Sequence, residues 1–537
     1  MKFIKTVFKD ILYVSKVTGT QRKKVLIGVS VIFSQLSVLT DVFLIGLFAF
    51  LIAGQKTNIE IVDNLAGIFD ENRILILFVV FFRFIFLFLQ SYILRRIEFT
   101  VTNNLKEYIL KHIFEKRTFT ISEAYFYTNE LSGHIGYFYS NFAAFINNIL
   151  NVLVFCFYLV YSNLEVLIIF GIGLAVLLIP LKKVITKSRD YVDKSFFAAR
   201  DSMSEIERII ENLFLIKILK KEEDEIYKFA STLDLLKSHQ LNKHNYGVIN
   251  GYLPSFLTLT ILVSILIFSS TIKLTLDFIG VTLKLFNSIN GVTTTFSNII
   301  NSHVHIAKFR ELNFGSDNPA KDNFLVVNSE SVHLKNIHFK YQNSKEDIFK
   351  NIDIEFKKGK HTILTGENGT GKSTLLGLIA GIYYPQSGKV LTHSNKYGYV
   401  SAQPFIFRDS LLNNIIYGNE KKNISTSEIL NLLKEFNTFK KEDEYVLDKI
   451  VSNKTLSSGQ MQKIGFIRIL LSKPEIILLD ESTSNLDTES KGIVFKKLKE
   501  NNTTIINSTH DPQNFDFVDH HYEITINNER REVKKVF

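Results

Sequence analysis

From Gly366 to Thr374 the chain reads Gly366, Glu367, Asn368, Gly369, Thr370, Gly371, Lys372, Ser373, Thr374. Three glycines at this spacing let successive backbone N–H groups point inward at phosphate oxygens, and a following helix adds its positive end. Lys372 can then reach the β- and γ-phosphates of ATP, and Ser373 can ligate Mg²⁺. A second group lies downstream, where the apolar run Ile476–Leu479 ends in Asp480 and Glu481. A carboxylate at Asp480 can share the Mg²⁺ with Ser373, which leaves Glu481 to polarise an attacking water.

Such chemistry needs a rigid frame. The apolar stretch His361–Thr365 reads as a strand running straight into the loop, and Leu375–Ile382 reads as the helix behind it, the strand, loop and helix context this pattern requires. Ile476–Asp480 reads as a buried strand beside it, and the alternating run Val332–Tyr341 as another. A turn-rich linker, Gly315, Ser316, Asp317, Asn318 and Pro319, precedes them.

The first half of the 537 residues is different in kind. Long runs of Phe, Leu, Ile and Val predict six membrane spans: Val25–Ala53, Ile74–Leu94, Phe142–Tyr161, Val166–Ile185, Gly251–Ile272 and Phe278–Ile300, the last weakened by Lys284. Lys and Arg concentrate before the first span (Arg22, Lys23, Lys24), after the second (Arg95, Arg96, Lys106, Lys111, Lys116, Arg117) and between Lys182 and Lys243. The alternate loops hold only Lys56, Arg73 and Lys273, so the N-terminus and the C-terminal domain are expected in the cytoplasm. This bias accounts for most of the formal charge of +10, so no nucleic-acid partner is expected, whereas anionic membrane lipids are. The first apolar run is too long for a cleavable signal, and the lone Cys156 cannot close an internal disulfide. The inner connections are long, and Lys187–Lys243 contains helix formers with no Pro or Gly, so the helices are expected to continue into the cytoplasm.

Charges inside spans are costly and mark a pairing or a pathway. Asp41 and Arg83 fall at matching depth, about 14–18 Å by helical rise, and are expected to face each other or share a polar cavity. The sixth span carries Asn287, Ser288, Asn290, Thr293, Thr294, Thr295, Ser297 and Asn298. It lines a water-filled pathway or hydrogen-bonds to neighbouring helices.

Between the two phosphate motifs lies Leu456, Ser457, Ser458, Gly459, Gln460, which resembles the LSGGQ signature of ATP-binding cassette (ABC) transporters, with Gln460 twenty positions before Asp480. Gln403 is similar to the Q-loop glutamine of that family, Ser484–Asp487 to its D-loop, His510 to its switch histidine and Tyr341 to the aromatic that stacks on adenine. Six spans ahead of one cassette resemble a half-transporter of the exporter type. The resemblance implies an all-α six-helix transmembrane domain (residues 1–310), a linker (311–330) and an α/β P-loop ATPase domain (331–537). It further implies ATP and Mg²⁺ as ligands, with Ser373, Gln403 and Asp480 on the metal and Glu481, Gln403 and His510 in hydrolysis. Tyr341, residues Gly366–Thr374, Ser457, Ser458, Gly459, Gln460 and Asp487 would contact the nucleotide.

Two departures stand out. Ser458 replaces a glycine of the signature, and Gln403 follows Lys372 by only 31 positions, so the antiparallel subdomain around Gly388–Tyr399 is expected to be trimmed. The resemblance implies a partner, a second copy or a related half-transporter, whose Ser457 and Gly459 N–H groups would close over the γ-phosphate. Coupling helices are expected near Thr118–Asn129 and Glu211–Lys221. The sequence leads to ATP-driven export or flipping of an amphipathic or lipid-linked molecule, with a peptide exporter and a nucleotide-gated channel as alternatives. No peptidase precedes the first span, which disfavours a leader-cleaving peptide exporter. The wealth of Phe, Lys, Ile and Asn without Trp places the chain in a bacterial plasma membrane.

Overall fold

The computed structural model describes residues 2–19, 23–53, 67–116, 120–162, 164–268, 276–311, 322–341, 344, 346–419, 423–439, 446–500, 503–510, 512–515, 517–527 and 530–537. The linker residues Gly315–Pro319, the end of the fifth expected span (Ser269–Ile272), and Arg22, Lys56, Arg117, Thr118 and Lys273 lie outside the described residues. The chain forms two compact units, Met1–Gly315 and Ser316–Phe537.

Among the described residues the N-terminal unit is built of helices: α1 (Lys2–Thr18), α2 (Lys23–Ala53), α3 (Leu75–Lys116), α4 (Ile121–Phe126), α5 (Ser132–Ser162), α6 (Leu164–Glu211), α7 (Leu213–Ile218), α8 (Glu222–Phe268) and α9 (Leu276–Glu311). A π-helical turn, Tyr127–Leu131, joins α4 to α5. At 1.5 Å per residue, α6 (48 residues) is about 72 Å long, more than twice the hydrocarbon thickness of about 30 Å. Lys24–Ile52, Leu75–Phe114 and Ile121–Val160 are long and apolar enough to cross a membrane. Leu77, Phe78, Phe81, Phe82, Phe84 and Phe88 of α3 point outward from the unit, a surface that lipid rather than water would cover. Farther along α3 the pattern changes to a buried stripe, Ile93, Ile97, Val101, Leu105 and Ile109, at the three-to-four spacing of one helix face. It packs on Phe126, Leu131, Ile135 and Phe138 of the next hairpin and on Ile299, Ile306 and Phe309 of α9.

Two short helices interrupt the long ones. Thr120 caps α4 through a capping box with Glu123, whose carboxylate accepts from the Thr120 N–H. Helix α7 is set off by Lys220, at φ +53°, and by the acidic run Glu222–Glu225 that opens α8 and suits the positive end of a helix. Helix α1 is tied to α9 by Asp10, which is fully buried and receives both Arg310 and His303.

Among the described residues the C-terminal unit holds two large sheets and one two-stranded one. Strands β1 (Phe324–Val326), β2 (Ser331–Phe339), β3 (Phe349–Lys357) and β5 (Ser387–Thr392) form one, in the order β1-β5-β2-β3. Strands β4 (His361–Gly366), β6 (Tyr397–Ser401), β9 (Ile476–Asp480), β10 (Thr504–Ser508), β11 (His520–Asn527) and β12 (Arg530–Lys535) form the other, in the order β12-β11-β4-β10-β9-β6. All its pairings are parallel except β11 with β12. The stretch Gly388–Tyr399, around which a trimmed antiparallel subdomain is expected, is shared between the two sheets, with β5 antiparallel to β2 in the first and β6 parallel to β9 in the second. Gly388, at φ +88° and pressed so close to Asn336 that a Cβ would lie 2.3 Å from its carbonyl oxygen, starts β5 against β2, and the chain returns at once as β6 of the parallel sheet. A pair of two-residue strands, β7 (Asp409–Ser410) and β8 (Ile450–Val451), closes a mainly helical lobe around α11 (Leu411–Ile416) and α12 (Thr426–Glu435).

Candidate functional site

Parallel strands end together, and here four of them end in chemistry. The register sets Asp480, the last residue of β9, opposite Ser508 of β10 and Ser401 of β6, while Leu364 of β4 pairs with the same Ser508. One sheet edge therefore presents the glycine loop, Asp480–Glu481, Ser508–His510 and Ser401–Gln403, the carboxyl-end position where open α/β sheets bind ligands.

The loop is built for an anion. Gly366, Gly369 and Gly371 have φ of +148°, +83° and +101°. A Cβ on Gly366 would lie 2.4 Å from the Ile524 carbonyl oxygen, and one on Gly371 would lie 2.9 Å from the Phe349 ring, so neither position admits a side chain. Helix α10 (Lys372–Ile379) starts at Gly371 with no side-chain cap, leaving its first N–H groups for a ligand. Glu367, Asn368, Gly369 and Ser373 are exposed, whereas Thr370 is buried and its hydroxyl donates to the Glu367 carbonyl at 2.9 Å, fixing the turn. Lys372 Nζ lies back across the loop, donating to the carbonyls of Gly366 (2.7 Å) and Glu367 (3.1 Å). Burial pulls its pKa below the ordinary lysine value, against the attraction of Glu481 and Asp480.

Glu481 occupies a strained position. It sits at φ +52°, a region an L-residue enters at a cost, and its N–H is held by the Ser508 carbonyl at 2.9 Å. Its carboxylate Oε1 is 3.0 Å from His510 Nε2. Gln403 is exposed, in a loop fixed by the Ser401 hydroxyl, which donates to the Gln403 carbonyl at 2.7 Å. The Tyr341 hydroxyl is 2.7 Å from Thr374 Oγ1, and its ring lies edge-on against Phe339 and Tyr383 beside the phosphate loop.

The signature residues stand apart from this cluster. Ser457 caps α13 (Ser458–Ser472) in a capping box: its hydroxyl accepts from the Gln460 N–H, and Gln460 Oε1 accepts from the Ser457 N–H. Ser458 is exposed in the first turn of the helix. Gly459 is tight, since a Cβ there would lie 2.9 Å from the Asn485 carbonyl oxygen. Among the described residues, no hydrogen bond or ion pair joins Ser457–Gln460 to Gly366–Thr374. Asp487 caps α14 (Thr488–Glu500) by accepting from the Ser490 N–H at 2.8 Å, and it pairs with Lys463 at 2.8 Å. Its pKa is lowered to about 2, mainly by Lys463. This carboxylate is engaged within its own chain.

Three residues absent from the sequence reading organise these parts. Gln462, fully buried, donates to the Ala402 carbonyl (3.1 Å) and accepts from the Asn485 N–H (3.1 Å), so it links the signature helix to the loops of Gln403 and Asp487. Lys463 anchors Asp487. Arg531 of β12 donates to the Gly369 carbonyl at 3.3 Å and to those of Asp347 and Ile348. Gln462 and Lys463 carry a signal that could have been read, being polar residues set directly before the apolar run Ile464–Ile467 of one helix.

In the N-terminal unit, Arg83 Nε donates to Asp41 Oδ1 at 2.6 Å, and Lys284 Nζ joins from α9, 3.1 Å from Asp41 Oδ2. Several polar groups of α9 serve packing. Asn298 donates to Asn141, Asn290 donates to Ser255, and Thr293 and Thr295 donate to carbonyls of their own helix. Ser288 also donates to its own helix, at the Lys284 carbonyl, and with Asn287 it lines a cavity of about 220 Å³.

Residues 27–291 match the description "ABC transporter transmembrane region" and residues 349–484 match "ABC transporter". The chain is 34% identical over 204 residues to the energy-coupling factor transporter ATP-binding protein EcfA1 of Mycoplasma mobile, of which it covers 73% with 34% of its own length. The chain belongs to the ABC transporters. Its C-terminal unit is the ATP-binding and ATP-hydrolysing domain of that family, and its N-terminal unit makes it a multi-pass membrane protein. It is also 29% identical over 331 residues to the lactococcin-A transport/processing ATP-binding protein LcnC of Lactococcus lactis, using 56% of its own length and spanning 45% of that protein. A solved structure of a bacterial Atm1-family ABC exporter with ATP bound shares the fold, with a TM-score of 0.74, 18% identity and coverage of 95% of this chain and 94% of that one.

Proposed function

We propose that this chain is one half of an ATP-driven exporter or flippase, working as a dimer in a bacterial plasma membrane with its N-terminus and cassette in the cytoplasm. The observation that carries the reading is the Glu481–His510 pair, 3.0 Å apart at the sheet edge that also bears the phosphate loop. In this assignment the loop N–H groups and Lys372 hold the phosphates, and Tyr341 offers its ring to the adenine. Ser373, Asp480 and Gln403 are oxygen donors suited to Mg²⁺, which when bound neutralises charge on the phosphates. Glu481 takes the proton side of the attacking water, and His510 holds the Glu481 carboxylate. The separation of Ser457–Gln460 from the loop of its own chain supports completion of the site by a second copy. Helices α4 and α7, with Ile121, Tyr125, Phe214 and Ile218 exposed, are the surfaces assigned to carry closure to the spans.

The test uses purified protein in proteoliposomes. Glu481→Gln is expected to lower ATP turnover at least about 100-fold, the lower range for removing a general base, while the protein still binds ATP and elutes as a dimer with it. Unchanged turnover would remove Glu481 from this role, and transport that continues without hydrolysis would turn the reading toward a channel. The favoured substrate is amphipathic or lipid-linked. A peptide substrate is the second reading, supported by the likeness to LcnC, and stimulation of ATPase activity by peptides but not by lipid-linked glycans would select it.

A further inference from the structure

Three charged side chains meet inside the membrane unit without cancelling. Asp41 of α2 gives one oxygen to Arg83 of α3 and the other to Lys284 of α9, so two cations share one carboxylate. By helical rise, Asp41 lies about 18 Å from the end of α2, and Arg83 and Lys284 lie about 12 Å from the starts of α3 and α9. The nearest other acid along α9, Asp277, is about 10 Å away along the axis and receives the Tyr158 hydroxyl at 2.6 Å. A positive charge left over at such depth is costly and is kept where something uses it.

Beside the triad, α2, α3, α5 and α9 enclose the cavity of about 220 Å³. Its lining is polar, with Gln90, Asn148, Asn151, Asn287 and Ser288 around Lys284 and Asp41. Both Asp41 oxygens are paired, and Asn151 Oδ1 already accepts from Ser34 and Gln35. The donors remain. The Lys284 side chain keeps 34% of its surface exposed against 14% for Asp41, so the cation rather than the acid is open to a visitor.

We propose that this cavity binds an oxyanion, phosphate or carboxylate, carried by the transported molecule. Its volume falls below the roughly 300–1,000 Å³ of a site that takes a whole drug-sized ligand, so it is a head-group subsite. The depth of the triad and the apolar outer face of α3 favour an anion borne by an amphiphile whose tails remain in lipid. This inference rests on the exporter reading for the word transported; the anion site itself does not depend on it.

The experiment uses the full-length protein in nanodiscs without nucleotide and measures binding of fluorescent dioleoyl lipids with the same tails: phosphatidic acid, diacylglycerol and a trimethylammonium lipid. Phosphatidic acid is expected to bind at least tenfold more tightly than either of the others. That preference should fall below threefold in Lys284→Met and persist in Lys284→Arg. Inorganic phosphate serves as the competitor: displacement at millimolar concentration supports the site with an aqueous anion as source, and no displacement supports it with a membrane-borne one. Equal affinity for the three lipids in the unsubstituted protein overturns the proposal, whether or not the variants fold. So does full preference in a Lys284→Met protein that elutes and melts normally. Because no nucleotide is present, these outcomes stand apart from the Glu481→Gln result, and failure of one reading is distinguishable from failure of the other.

Discussion

Replacing Gln462 by leucine should uncouple the signature helix from two loops of the cassette without touching any residue assigned to the nucleotide. Leucine nearly matches the volume and keeps the fully buried site filled, so the change isolates hydrogen bonding from packing. Two contacts of 3.1 Å are lost, from Nε2 to the Ala402 carbonyl and from the Asn485 N–H to Oε1, together with a weak one of 3.4 Å to Ser484. At about 1 kcal/mol for each ordinary bond, and more for the Asn485 N–H if it is left buried without an acceptor, the loss should be about 2–3 kcal/mol. For a unit of this size each kcal/mol moves the melting temperature by about 2–4 °C, so the cassette transition should fall by about 5–10 °C. Because Ala402 adjoins Gln403, and Asn485 lies between Glu481 and Asp487, turnover should fall more than ATP affinity. Thermal unfolding followed by tryptophan-free methods, such as calorimetry, and steady-state ATPase kinetics would check both. A melting temperature within 1 °C of the original together with unchanged turnover would refute the view that Gln462 holds the loops in register.

Two further outcomes follow from groups in strained or buried places. Glu481 stands at φ +52°, so Glu481→Gly should raise stability by about 1 kcal/mol while abolishing turnover, whereas a drop in melting temperature would show that the turn stores no strain. His361 is buried, and its Nδ1–H donates to the Phe517 carbonyl while Nε2 has no partner among the described residues; burial pulls its pKa from 6.5 to about 4. Between these values the unfolded chain takes up a proton that the folded one refuses, so stability falls as pH drops from 6.5 towards 4 and is unaffected by this group above 6.5. The full loss is about 3 kcal/mol at ~1.4 kcal/mol per unit, and His361→Phe should flatten that limb of melting temperature against pH.

The geometry of the glycine loop was legible because it is local. Backbone N–H groups of consecutive residues make the cradle, so Gly366, Gly369, Gly371 and Lys372 carry the geometry in their own spacing, and the strand before and helix after them follow from short apolar runs. The same holds for Asp480 and Glu481 at the end of β9. It holds less well for Asp487. The family pattern places it beside the nucleotide, yet its carboxylate caps α14 and pairs with Lys463, contacts that no motif spells out. Similarly, the expectation of a trimmed antiparallel subdomain around Gly388–Tyr399 did not show that β6 leaves it for the parallel sheet, because that break depends on where β5 and β6 find partners, not on their own residues.

What the sequence hid is set by distance along the chain. Lys284 weakened the sixth span when weighed alone, since a lysine in an apolar run is a cost with no visible return. Its partner, Asp41, is 243 positions away, and only the fold shows that the residue that made α9 look like a poor span gives the cavity its charge. Gln462 is alike, 60 positions from Ala402 and 23 from Asn485, each bond ordinary and none suggested by its neighbours. Yet both were visible as exceptions, Lys284 inside an apolar run and Gln462 just before one. A buried polar side chain must find a partner or use, so an unexplained one in a sequence is a contact not yet located. By that reasoning Asn147, 1% exposed on α5 with neither amide atom bonded among the described residues, belongs to the same set, one residue from Asn148 at the wall of the proposed anion cavity.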